Sequence, residues 1–147
     1  MSSSSLSISD GSPSPLGSTR SYAGAVNFAV WAPRADAVDL CLFWDNENPG
    51  DESARVRMSG KTLGVWHVEI DGIPERCRYG FRLQGPWKPA DGLLFNHHKL
   101  IIDPYARLID GIHHHQDTLR CRQPDGKKDT ADRGKFAPKG VVVYSEP

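Results

Sequence analysis

The sequence has few cysteines and no CxxC pair: Cys41, Cys77 and Cys121 are odd in number and widely spaced. That excludes a disulfide framework and a zinc knuckle, and leaves reduced, partly buried thiols as the expected state, with the cytoplasm as the default compartment. Net charge is also missing. The 18 basic and 18 acidic residues cancel, so no global field draws in nucleic acid or an anionic membrane, and neither is an expected partner. No apolar run approaches the ~20 residues of a membrane span. Met1 to Gly11 lacks the charged start and apolar centre of a signal peptide. No stretch shows a convincing helical period, and nothing looks like an activated nucleophile. The histidines do not make a metal site. His113 to His115 are consecutive and cannot converge on one ion in regular structure, and His97-His98 has the same problem. No cofactor is expected.

What is present is a series of short strands. A chain of 147 residues fits one domain able to bury a core without staples. Met1 to Ser21 is serine-rich and broken by Gly11, Pro13, Pro15 and Gly17, which predicts a flexible leader over residues 1–21 with Pro15-Leu16-Gly17 as its first docked part. Strands are then expected at Val26–Trp31, Ala37–Phe43, Ala54–Met58, Val65–Ile70 and Cys77–Gln84. Pro33 and Asp36 mark a turn that makes the first two a hairpin. Val38, Leu40 and Leu42 share one face, as do Tyr79, Phe81 and Leu83. Gly60 and Gly64 bracket a turn. Asp110 to Lys139 is polar and reads as loop, before a last strand at Val141–Tyr144. The expectation is an all-β, immunoglobulin-like antiparallel β-sandwich over residues 22–109, with a loop-rich tail over 110–147.

Several segments, in order, resemble the N-terminal domain of isoamylase-type glycogen debranching enzymes, the carbohydrate-binding module 48 type. They are Pro15-Leu16-Gly17, Val26 to Trp31 leading into Ala37 to Phe43, Tyr79-Gly80-Phe81-Arg82 with Gly85-Pro86-Trp87, and Phe95-Asn96 followed by Lys99 to Ala106. The chain departs from that family where Glu75-Arg76 replaces a Pro-Gly turn and His97 replaces a proline. The resemblance implies a glycogen-binding-like sandwich that precedes a glycoside hydrolase barrel. The carboxylates that cleave α-1,6 branches would then lie on that barrel. Ala137 to Val143 looks like the segment leading into it, with Tyr144 where an aspartate is common. The implied partners are a branched α-glucan, such as glycogen or starch, and the barrel. The alternative is a structural spacer that binds no glucan when isolated.

Glycoside hydrolysis needs two carboxylates about 5–9.5 Å apart across the scissile bond. Asp91 and Asp103 instead sit in turn contexts, where an Asp bonds backbone amides, so no catalytic residue is assigned. Glucan binding needs flat apolar rings with polar groups at the rim. Trp87 follows a stiff Gly85-Pro86 turn and is the leading candidate platform, with Lys88 and Gln84 as rim donors; the other reading packs Trp87 against the next segment or the barrel. Its position resembles one used for sugar stacking in related modules, although those carry a lysine where this chain has Gly80. Trp44 and Trp66 are secondary candidates. Whether Trp66 or Val65 points inward is left open by a ragged alternation. Trp31 ends an inward-facing strand and is expected in the core. Asp103-Pro104-Tyr105-Ala106 is expected to dock the domain end onto its neighbour.

Overall fold

The structure, a computed structural model, describes residues 6–20, 24–44, 51–74, 77–106 and 139–142, and the backbone of Ile109–Asp110. Its strands in chain order are β1 (Ser7–Ser9), β2 (Gly17–Arg20), β3 (Val26–Trp31), β4 (Ala37–Phe43), β5 (Ala54–Arg57), β6 (Gly60–Thr62), β7 (Val65–Asp71), β8 (Arg78–Gln84), β9 (Trp87–Lys88), β10 (Leu93–Leu94), β11 (Ile109–Asp110) and β12 (Lys139–Val141). They form two antiparallel sheets. The first has the order β1-β7-β3-β2, with β6 also paired to β7, and the second the order β11-β12-β8-β4-β5. β9 and β10 make a separate small hairpin.

Period-two alternation turns one side of each strand inward. From the first sheet come Val26, Phe28 and Val30 of β3 with Trp66, Val68 and Ile70 of β7; from the second come Val38, Leu40 and Leu42 of β4 with Tyr79 and Phe81 of β8. Phe28 meets the Tyr79 ring edge-on at 5.1 Å, and Tyr79 meets Phe81 at 5.9 Å. Each such buried side chain contributes about 1.5–3 kcal/mol of burial free energy. The inner set on β7 resolves the ragged alternation: Trp66 is core and Val65 lies outside.

Three expectations are corrected. First, residues 6–20 of the expected flexible leader are built into the first sheet. Ser7–Ser9 pairs with Glu69–Asp71 of β7, and Gly17–Arg20 pairs with Val26–Ala29 of β3. Between them, Asn27 clasps Ser12 through two bonds of 2.7 and 2.9 Å. The His67 Nδ1–H donates to the Asp10 carbonyl at 2.7 Å, which leaves Nε2 to accept from the Thr62 hydroxyl at 2.8 Å. Serine-rich composition hid these strands because edge strands are held by backbone bonds to a neighbour, not by a hydrophobic pattern of their own. Second, β3 and β4 are not a hairpin. Ala32–Asp36 carries the chain from one sheet to the other, and β4 pairs with β5 and β8. Third, the sandwich does not stop at residue 109, because β12 from the tail pairs with both β8 and β11. Of the loop expected from Asp110 to Lys139, the two end residues belong to β11 and β12, and residues 111–138, with His113 to His115 and Cys121, lie outside the described residues, as does the stretch beyond Val142.

β4 runs Ala37 to Phe43 against β8, with Ala37 opposite Gln84 and Phe43 opposite Arg78. The sandwich therefore has a Gln84 pole and an Arg78 pole.

Candidate functional site

After Gln84 the chain leaves β8 at Gly85-Pro86 and folds into the β9/β10 hairpin, with Trp87 opposite Leu94 and Lys88 opposite Leu93. A single 3-10 turn at Pro89–Asp91 closes it, ending on Gly92 at φ 76°, where the Gly92 N–H donates to the Pro89 carbonyl at 3.0 Å. That left-handed position favours glycine. Trp87 is half-buried, Lys88 exposed and Gln84 half-buried. Beside the hairpin, Arg34, Leu83, Leu93, Leu94, Phe95 and Ile101 line an open cleft of about 330 Å³. Arg34 comes from the crossover between the sheets, and the Asp36 N–H donates to the Gln84 carbonyl at 2.7 Å. Crossover, hairpin and cleft thus share the Gln84 pole.

The structure does not bring the other candidates there. Trp44 follows Phe43 at the Arg78 pole, half-buried against the core, with its N–H bonded to the Ser53 hydroxyl at 3.0 Å. The seven residues of β4 separate it from Trp87 by roughly 20 Å of strand. Trp66 is corrected as a stacking candidate. Its ring is in the core, 9% exposed, its Nε1–H donates to the Ala32 carbonyl at 2.9 Å, and the Lys61 ammonium lies 4.8 Å from the ring centre. No sugar face reaches a ring so placed.

Trp31 also departs from expectation. It is 64% exposed, because Val26, Phe28 and Val30 take the inner side of β3 and strict alternation turns residue 31 outward. Across the β6–β7 turn from it, Leu63 is 96% exposed. The alternation in Val26–Trp31 was the signal for Trp31; the buried neighbours at Asn27 and Ala29, on the same side as Trp31, blurred it.

The outer face of the second sheet is closed. A Cβ added at Gly80 would stand 2.8 Å from the Leu100 Cγ, so Leu100 occupies the space that a lysine would need. Leu100 packs with Cys41 and Phe43. Beside it the Arg82 guanidinium is 3% exposed, donating to the His98 carbonyl at 2.9 Å and lying 3.5 Å from the Glu52 carboxylate. Glu52 also pairs with Arg55 at 2.6 Å. Partial burial pushes the Glu52 carboxyl up, but hydrogen bonds from Arg55 and Cys41 outweigh it and hold the group below the usual range. Burial, then the Glu52 hydrogen bond, pushes the Cys41 thiol far up; burial raises Cys77 to about 12. Neither thiol has the character of a nucleophile.

The Asp103 turn fastens the covering segment. The Tyr79 hydroxyl donates to Asp103 Oδ2 at 2.6 Å, the Tyr105 N–H donates to Oδ1 at 2.9 Å, and Asp103 is 1% exposed. Burial, then this bond, raises the Tyr79 pKa well above its usual value, so the hydroxyl stays a donor. Tyr105 itself is 57% exposed. Among the described residues no three His, Cys, Asp or Glu side chains converge as a metal set, and no helix is long and apolar enough to cross a membrane.

An antiparallel sandwich with an aromatic hairpin and a cleft at one pole has the build of a carbohydrate-binding module. The family model for carbohydrate-binding module 48, the isoamylase N-terminal domain, matches residues 15–106, and the chain belongs to that family. Among curated relatives, the glycogen debranching enzyme of Erwinia tasmaniensis is 40% identical over 142 residues, which are 96% of this chain and 20% of the relative. That of Yersinia enterocolitica is 36% identical over 95% of this chain and again 20% of the relative. The chain therefore spans about a fifth of these relatives. The part shared with the family is the one its model describes as the isoamylase N-terminal domain. Among solved structures, the catalytic module of the glycogen-degrading pneumococcal virulence factor SpuA superposes with TM-score 0.63 at 18% identity, covering 91% of this chain and 17% of that one. The Group B Streptococcus pullulanase SAP in complex with maltotetraose gives 0.59 at 21%, covering 88% and 14%. At these identities the likeness is one of fold.

Proposed function

We propose that this domain is the N-terminal module of an α-1,6-glucan debranching hydrolase, where it contacts branched α-glucan and orients the catalytic barrel toward it. One observation carries the glucan part: the β9/β10 hairpin holds Trp87 at a sandwich pole, with exposed Lys88 and half-buried Gln84 beside it, next to an open cleft. An amphipathic ring with hydrogen-bonding side chains at its rim suits a pyranose, whose faces are apolar and whose edge carries hydroxyls. The names of the 40% and 36% identical relatives support the enzyme class. Among the described residues Cys41 and Cys77 are free, buried thiols, which supports placing the domain in the cytoplasm.

A second reading is a spacer without glucan affinity. The closed Gly80 face favours it, together with the exposed Leu94, Ile101 and Tyr105 along the covering segment, which suit contact with a neighbouring domain. Electrophoresis in gels containing glycogen separates the two. Retarded migration of the native chain, reduced in Trp87→Ala, is the expected result. Migration indifferent to glycogen would leave the spacer.

A further inference from the structure

The outer face of the first sheet is covered over part of its length by the chain's own N-terminal segment. Asn27, Ala29 and Trp31 of β3 point outward beside Glu69, His67 and Val65 of β7. Gly11 and Ser12 lie over the first of these rows, clasped by Asn27, and His67 holds the Asp10 carbonyl in the second. The third row is left bare. Trp31 is 64% exposed, and Leu63, in the turn beside it, is 96% exposed.

This tip is built so that its apolar groups stand out. A Cβ added at Gly64 would lie 3.2 Å from the Trp31 Nε1 and 2.9 Å from the Pro33 Cβ, and the Ala32 N–H donates to the Gly64 carbonyl at 2.9 Å. The ring is thus braced on the side of the turn, with Pro33 exposed beside it. Leu63 stands at φ 50°, a left-handed position that Asn or Gly normally fills. A strained, exposed leucine next to an exposed tryptophan returns nothing to the monomer, which marks a surface that is covered in use.

The charges around the tip say what covers it. Arg34 and Asp36, two residues apart on the crossover that follows Pro33, are both exposed, and neither makes an ion pair among the described residues. A patch with one charge of each sign beside an apolar centre is complementary to itself across a two-fold axis, where Arg34 of each copy meets Asp36 of the other. The 18 basic and 18 acidic residues cancel, so two copies do not repel as wholes. Neither Trp31 nor Leu63 lines the cleft beside the Trp87 hairpin; only Arg34 belongs to both surfaces.

We infer that the chain pairs with a second copy of itself through this tip, with Trp31, Pro33 and Leu63 as the apolar centre of a two-fold contact and Arg34 and Asp36 as its charged rim. The contact does not depend on the glucan reading. One tryptophan covers about 150–250 Å², and a stable interface takes about 800 Å² from each partner. The dimer is therefore weak and forms only at high concentration.

Sedimentation velocity between about 5 and 500 µM tests this. The native chain should pass from monomer to dimer with a Kd on the order of 100 µM. Trp31→Ala should weaken the dimer about tenfold or more. Leu63→Gly should weaken it about threefold and, at a concentration where the chain is monomeric, leave the urea midpoint no lower. Arg34→Asp and Asp36→Arg should each weaken it about threefold, since each sets like charges face to face at both contacts. A mixture of those two variants should associate as tightly as the native chain, because unlike charges then meet at both. A merely structural role for either residue gives no recovery on mixing. A chain that stays monomeric throughout overturns the inference and leaves the tip to a different protein. A dimer that survives Trp31→Ala, or a mixture no tighter than its single variants, overturns it as well.

Discussion

The outer face of the second sheet and the Gln84 pole use the same device to opposite ends. On the face, Gly80 leaves room for Leu100, and the chain's own Asn96–Leu100 segment then seals the strand, with Arg82 bonded beneath it. At the pole, Gly64 leaves room beside Trp31, and there the ring lies open to solvent. A glycine beside a large side chain thus marks a close approach, and whether the approach is closed or open depends on what covers the large residue. Resemblance by strand position directs attention to Gly80 and its face. Packing leaves usable surface at the pole.

Breaking the seal at its fastening should have the largest effect. Asp103→Ala removes the acceptor of the buried Tyr79 hydroxyl and of the Tyr105 N–H. Stranding a buried donor and deleting a charge-assisted bond should cost about 2–3 kcal/mol in urea unfolding. Tyr79→Phe should cost less, and the double variant should fall short of the sum, because both remove one interaction. Additive costs would mean that the Tyr79–Asp103 bond does not fasten the segment.

Forcing the closed face to resemble an open one should have the next largest effect. Gly80→Lys drives a side chain into Leu100 and should cost about 2 kcal/mol by overpacking. Leu100→Ala in the same chain should relieve part of that cost, so the pair should be less unstable than the two singles added. A Gly80→Lys chain as stable as the native one would show that Leu100 is not seated over the strand.

The strands of the core were legible because Val38, Leu40 and Leu42, and Tyr79 and Phe81, alternate cleanly. Which sheet each strand joined was not. Pro33 and Asp36 announce a reversal, but a reversal to the partner strand and a crossing to the opposite sheet use the same turn residues. β1 and β2 were invisible for a different reason: their sequences, Ser-Ile-Ser and Gly-Ser-Thr-Arg, bury little, and backbone bonds to β7 and β3 hold them. At the site, the hairpin turn at Pro89-Ala90-Asp91-Gly92 could be read from its residues. Trp31 reads as inward and Trp66 as undecided as long as the parity of each strand is not fixed. Once Phe28 and Val68 are inward, Trp66 must be inward and Trp31 outward. Burial of Gly80 under Leu100 depends on a contact twenty residues apart, which no local pattern states.

The smallest expected effect lies at the open pole, in the turn beside Trp31. Leu63 sits at φ 50° and Gly64 at φ 84°, a two-residue turn joining β6 to β7 with both central residues left-handed. Asn or Gly normally fills the first of these positions. Leu63 is also 96% exposed, so burial returns nothing for the backbone strain. Leu63→Gly should therefore stabilise the fold by about 0.5–1 kcal/mol, less the extra chain entropy that glycine gives the unfolded state, read as a small rise in the urea midpoint. The open pole would then be a place where a side chain can be trimmed without loss, whereas every trimming on the closed face costs stability. A fall in the midpoint would show that Leu63 packs on the Trp31 ring and that the pole is partly sealed, which would erode the contrast between the two regions.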